Sequence, residues 1–171
     1  MNSGKSEEEE ERMFLKELFG SGKTKGQILA PVSGTCIPMS KVKDPTFSQE
    51  ILGKGVAIIP SEGKIVAPGD GEVTMVFETR HAISITTGGA ELIIHIGLDT
   101  VNLQGQYFEA FVKSGDKVKA GDLMIEFDLE KIKEAGYDVT TPVIVCNTPE
   151  FPDMACHTGM EVRAGEGIID L

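Results

Sequence analysis

The chain has 171 residues, with 27 Asp or Glu against 16 Lys or Arg, a formal charge of −11. The 40% of hydrophobic residues and the 20 glycines are globular composition, enough for one domain with its own core. The acidic balance speaks against a nucleic-acid surface, no apolar run reaches the roughly 18 residues of a membrane span, and three cysteines without CxxC spacing supply neither a disulfide framework nor a zinc finger.

Residues 1–25 read as an acidic tail and linker ahead of a domain at 26–171. Glu7–Glu11 stand where a secretory signal needs cations and an apolar run, so the chain is expected to stay in the cytoplasm with free thiols. Within the tail, Phe14, Leu15, Leu18 and Phe19 form a short amphipathic stripe over Met13–Gly20. It suits a flap docked on the domain, a frayed end, or a weak anchor for a membrane or a partner. Residues 20–26, GSGKTKG, read as a flexible linker.

From Gln27 onward the text is β. Short β-branched or alternating runs are separated by Gly, Pro, Asp and Asn: Ile28–Pro31, Val56–Pro60, Lys64–Pro68, Glu72–Phe77, Ala82–Thr86, Glu91–Ile96, Leu123–Phe127 and Val143–Cys146. One short helix is expected over Leu129–Ala135, stopped by Gly136. Phe47 and Ile51 sit at i, i+4, either as a core plug or as an exposed apolar rim.

Two echoes run through the chain. Gly26–Gly34 (GQILAPVSG) resembles Gly63–Gly71 (GKIVAPGDG) at an offset of 37, and Val118–Phe127 (VKAGDLMIEF) resembles Val162–Leu171 (VRAGEGIIDL) at an offset of 44. The period does not persist, so a solenoid is disfavoured. An antiparallel sandwich or barrel built from two related halves is expected.

Chemistry concentrates on two of the three histidines. His81 and His95 lie in apolar strand text on either side of Gly88-Gly89. A hairpin pivoting on Gly88 pairs residues whose numbers sum to 176, which sets His81 opposite His95. A neutral imidazole is a nucleophile near pH 7, and a second one can donate to an anion held on the first. The same pair, with Asp99 as a carboxylate, also suits zinc. His157, beside Cys156, reads as a surface loop residue.

The strings FETRHA (77–82) and IHIGLDTV (94–101) resemble the glucose-family IIA component of the bacterial phosphoenolpyruvate:sugar phosphotransferase system. So do GQILAPVSG, GKGVAIIP (53–60), GKIVAPGDG, VKAGDLMIEFD (118–128) and TPVIVCN (141–147), in order over residues 26–171. The resemblance implies an all-β antiparallel sandwich with internal duplication (a duplicated hybrid motif) and few short helices. It implies a cytoplasmic phosphoryl carrier, taking phosphate from the phosphocarrier HPr and passing it to a IIB domain, with membrane contact only through the transporter. Position by position, it makes His95 the phosphoryl acceptor through Nε2. His81 becomes the supporting group and Thr79 its hydrogen-bond partner. Asp44 and Asp99 become rim carboxylates, and Phe47, Ile51, Leu52, Phe77, Ile93 and Ile96 an apolar rim for partner proteins. It requires no cofactor, but leaves room for a zinc ion on His81 and His95 shared with a partner.

Three other readings compete. A regulatory relative that only binds transporters or enzymes fits the same strings. A zinc peptidase-like domain lacks its His-x-His pair, and a biotinyl or lipoyl carrier lacks its Met-Lys-Met.

Overall fold

The computed structural model describes residues 26–171. The tail expected at 1–25, with its stripe at Met13–Gly20, lies outside the described residues. Fourteen strands are assigned among the described residues. They are β1 Gln27–Leu29, β2 Gly34–Pro38, β3 Lys54–Pro60, β4 Lys64–Val66, β5 Gly71–Val76, β6 Ala82–Thr87 and β7 Ala90–His95. Then follow β8 Phe108–Ala110, β9 Lys117–Val118, β10 Leu123–Phe127, β11 Thr141–Val145, β12 Ala155–Cys156, β13 Met160–Val162 and β14 Gly167–Asp170. They form one eight-stranded sheet, ordered β13-β2-β3-β11-β7-β6-β5-β9, and two three-stranded sheets, β4-β10-β8 and β1-β14-β12. The expected helix forms over Leu129–Glu134, capped by Asp128 through a 3.1 Å bond to the Lys131 amide and ended by Gly136 at φ 95°.

The two echoes are a structural duplication. The Ala-Pro corners exchange bonds, Leu29 N to Pro68 O at 2.9 Å and Val66 N to Pro31 O at 2.8 Å. Ala30 N donates to Glu166 O at 2.7 Å as Ala67 N donates to Asp122 O at 2.8 Å. Ile28 pairs with Ile169 in one copy and Ile65 with Ile125 in the other.

Strand parity divides the large sheet into two faces. Cys36, Val56, Ile58, Ile83, Ile85, Leu92, Ile94, Val143 and Val145 point inward, where Ile28, Ile65, Ile125 and Ile169 of the small sheets meet them. Each fully buried side chain of this size contributes roughly 1.5–3 kcal/mol. The other face carries Ala57 and Ile144, covered by Met39, Val42, Phe47 and Leu98. Strand β11, sealed on both faces, is buried at all five positions, and its one polar side chain, Thr141, donates to Val139 O at 2.9 Å.

Candidate functional site

The outer face of the large sheet holds the two imidazoles. Their ring centroids are 4.8 Å apart, with the planes at 87°. They meet by a route other than the expected one. The ladder pairs Ala82 with His95 and Ile83 with Ile94, one residue away from the pairing that pivots on Gly88 alone. Gly88 and Gly89 both have positive φ, 57° and 83°, so the turn has two central residues. A one-residue slip would ordinarily send His81 to the opposite face. Here β6 begins only at Ala82. His81 ends a tight turn closed by a 2.7 Å bond from the Arg80 amide to Phe77 O, so strand alternation does not set its direction.

Aromatic rings enclose the pair. Phe77 meets His81 edge-on at 5.6 Å, and Phe47 lies 4.9 Å from His95. His81 is 4% exposed, whereas His95 is only half-buried and opens to solvent.

Hydrogen bonds fix the proton positions. Nδ1 of His95 lies 2.7 Å from Gly97 O. A carbonyl only accepts, so Nδ1 carries the proton and Nε2 keeps its lone pair. Thr79 Oγ1 lies 2.6 Å from Nδ1 of His81. If the hydroxyl donates, Nε2 of His81 is left as an N–H donor. Burial, then the neighbouring His95, pushes the His81 imidazole down to about 4. Burial also lowers His95, opposed by the Gly97 carbonyl and by Asp44 and Asp99. Both rings are therefore neutral near pH 7.

Gly97 is a site residue that the sequence reading did not single out. Its φ is +81°, and a Cβ there would come within 2.6 Å of Thr100 Cγ2 and 3.0 Å of Asp138 O. Only glycine turns the carbonyl back onto the ring two residues earlier. The spacing His-x-Gly was the available signal.

Asp44 and Asp99 both border a cleft of about 670 Å³ shared with Lys43, Asn102, Tyr137 and Asp138. Asp44 also caps the short helix Pro45–Ser48, accepting from the Thr46 amide at 3.0 Å. The expected apolar rim divides. Ile51 and Leu52 are exposed, at 66% and 41%, and Phe77 and Ile93 are half-buried. Two assignments need correction. Ile96 is 1% exposed and belongs to the inner core, because parity places it with Ile94 rather than with Ile93 and His95. Phe47 is 5% exposed and serves as a plug against His95, not as rim. The helix that bears it stops at Ser48, so Phe47 and Ile51 share no helical face.

His157 is exposed and paired with Asp170 at 2.8 Å, at the end of the small sheet β1-β14-β12. The three cysteines are free, with burial pushing Cys36 up to about 11. For a metal, Nε2 of His95 offers its lone pair as it stands, and Nε2 of His81 would offer one only in the tautomer in which Nδ1 donates to Thr79 Oγ1. Among the described residues no group of three His, Cys, Asp or Glu side chains is placed to hold a metal ion. No helix among the described residues is long and apolar enough to cross a membrane.

A duplicated all-β domain with a pair of neutral imidazoles on one sheet face is the class that fold and site define. Residues 26–151 match the family described as phosphoenolpyruvate-dependent sugar phosphotransferase system, EIIA 1, and the chain belongs to that family, as a phosphotransferase component. It is 46% identical over 163 residues to the PTS system glucose-specific EIIA component of Halalkalibacterium halodurans, covering 90% of this chain and 94% of that protein. The PTS system beta-glucoside-specific EIIBCA component of Bacillus subtilis is 56% identical over 125 residues, 72% of this chain and 20% of that protein. The corresponding EIIBCA component of H. halodurans is 45% identical over 172 residues, and the chain spans only 27% of its length. Among solved structures, the glucose permease IIA from Mycoplasma capricolum superimposes with a TM-score of 0.77 at 36% identity, over 84% of this chain and 94% of that one.

Proposed function

We propose that this domain carries a phosphoryl group on Nε2 of His95, between the phosphocarrier HPr and a IIB domain, during sugar uptake at the cytoplasmic side. The observation that carries the reading is the bond from Nδ1 of His95 to Gly97 O, which leaves Nε2 unprotonated beside a second neutral imidazole. The lone pair of Nε2 attacks phosphorus as the donor's P–N bond breaks. Onward transfer reverses the step, so no net charge or proton is created. Little covalent work falls to the protein, and positioning with charge stabilisation carries the catalysis. Nε2–H of His81 donates to a phosphoryl oxygen, and Thr79 holds that tautomer. The exposed Ile51 and Leu52 offer apolar contact to partner proteins, with Asp44 and Asp99 at the border. The fused EIIBCA relatives support a IIB partner.

Replacing the supporting imidazole tests the division of labour. His81→Gln is expected to accept phosphate from phospho-HPr yet pass it to IIB about a hundredfold more slowly. Onward transfer at the wild-type rate would remove the role given to His81.

A further inference from the structure

Arg80 stands between Thr79 and His81, and nothing above assigns it a task. Its backbone lies in the left-handed region, φ 56°, which long side chains seldom adopt. From there the side chain crosses to the loop that follows β7. Nε donates to Phe108 O at 3.2 Å and Nη2 to Gly105 O at 3.2 Å. That loop is itself bent, with Gln104, Gly105 and Tyr107 at φ 54°, 92° and 79°. A Cβ on Gly105 would meet Arg80 Nη2 at 2.6 Å, so a side chain there would have to push the guanidinium aside. Arg80 is half-buried and, among the described residues, forms no ion pair with a carboxylate. Its guanidinium donates to two backbone carbonyls, one in that loop and one at the first residue of β8.

We propose that Arg80 is a positioning residue, a clamp that sets where His81 stands relative to His95. The turn it occupies delivers His81. The loop it grips is the continuation of the chain from His95, through Gly97 and the short turn Thr100–Leu103. At this end of the hairpin one backbone bond, Ile96 N to His81 O at 2.7 Å, ties the two segments together. The guanidinium is a second tie from the other side. A planar fork with fixed donor directions can reach two carbonyls at once, and an ammonium on a flexible stem cannot hold both in that geometry. The two carbonyl bonds hold the turn that carries His81, so Arg80 acts on His81 through position. The proposal rests on the reading that His95 takes the phosphoryl group and His81 supports it.

The test uses the full chain as wild type, Arg80→Lys, Arg80→Met and Gly105→Ala, the last crowding the clamp from the loop side. Four quantities are read: thermal midpoint, acceptance from phospho-HPr, onward transfer to IIB, and the imidazole nitrogen resonances of His81 in histidine-labelled protein. Expected in Arg80→Lys are a fold within a few degrees of wild type, acceptance within about twofold, and onward transfer about tenfold slower. His81 resonances should move from a single tautomer toward an average, and Gly105→Ala should reproduce the pattern. A lowered thermal midpoint with His81 resonances and onward transfer unchanged would make Arg80 a loop staple only and overturn the proposal. Should Arg80→Met not fold, Arg80→Lys carries the test, since it keeps the aliphatic stem and one donor. Failure of the relay reading is separable. If wild type takes no phosphate, the resonances still report whether Arg80 fixes His81, and an unchanged spectrum would overturn the clamp.

Discussion

The two faces of the eight-stranded sheet are built for different purposes. The inner face is closed by two further sheets and filled with Ile, Val and Leu at or near zero exposure. The outer face around the histidines is closed by a loop segment, a one-turn helix and Leu98, and its cluster holds six buried side chains. Many strands share the load on the inner face, so it tolerates an open, half-buried centre on the other side. The outer face has less apolar area to lose, and its side chains decide where two rings stand. Damage to the inner face should therefore appear as lost stability, and damage to the outer face as lost chemistry in a protein that still folds.

A substitution on the inner face has the largest expected effect. Ile85, fully buried against Val73 and Leu92, should cost about 4 kcal/mol on replacement by alanine, read from chemical denaturation. Acceptance should fall only in proportion to the unfolded fraction. Acid comes next, and it acts from the outer face. His81 titrates near 4 when folded and near 6.5 when unfolded. The unfolded chain therefore binds the proton more readily, and the contribution of neutral His81 is complete above pH 6.5 and lost as pH falls toward 4. The loss is at most roughly 3 kcal/mol. Denaturation series between pH 7.5 and 4 should show it, and His81→Gln should flatten that limb. The smallest stability effect belongs to Phe47→Leu, about 1.5 kcal/mol. The same change removes the ring beside His95, so phosphoryl acceptance should slow on the order of tenfold. A large stability loss with normal acceptance would erase the distinction between the faces.

The inner face was the legible one. Alternation and β-branched runs marked eight strands, and the paired echoes announced the duplication that the Ala-Pro corners make physical. Strands β2, β8, β9, β12, β13 and β14 fall outside those runs, because two to five residues without clean alternation carry too little signal. On the outer face the histidine pair was legible, although its register was not. The expected pairing counted one turn residue where Gly88 and Gly89 are two. Ile96 was assigned to the rim by resemblance against the parity that buries it. Gly97 and Arg80 were not singled out as site residues, because their carbonyl contacts need a left-handed backbone as well as the right residue, and strand patterning does not show that backbone.

The direct test of the account is intact mass after incubation with phosphoenolpyruvate, enzyme I and HPr, with His95→Gln alongside. The account predicts a gain of one phosphoryl group, labile to acid, absent without HPr and absent in His95→Gln. Full labelling of His95→Gln, or no gain in the wild type with active HPr present, would contradict it.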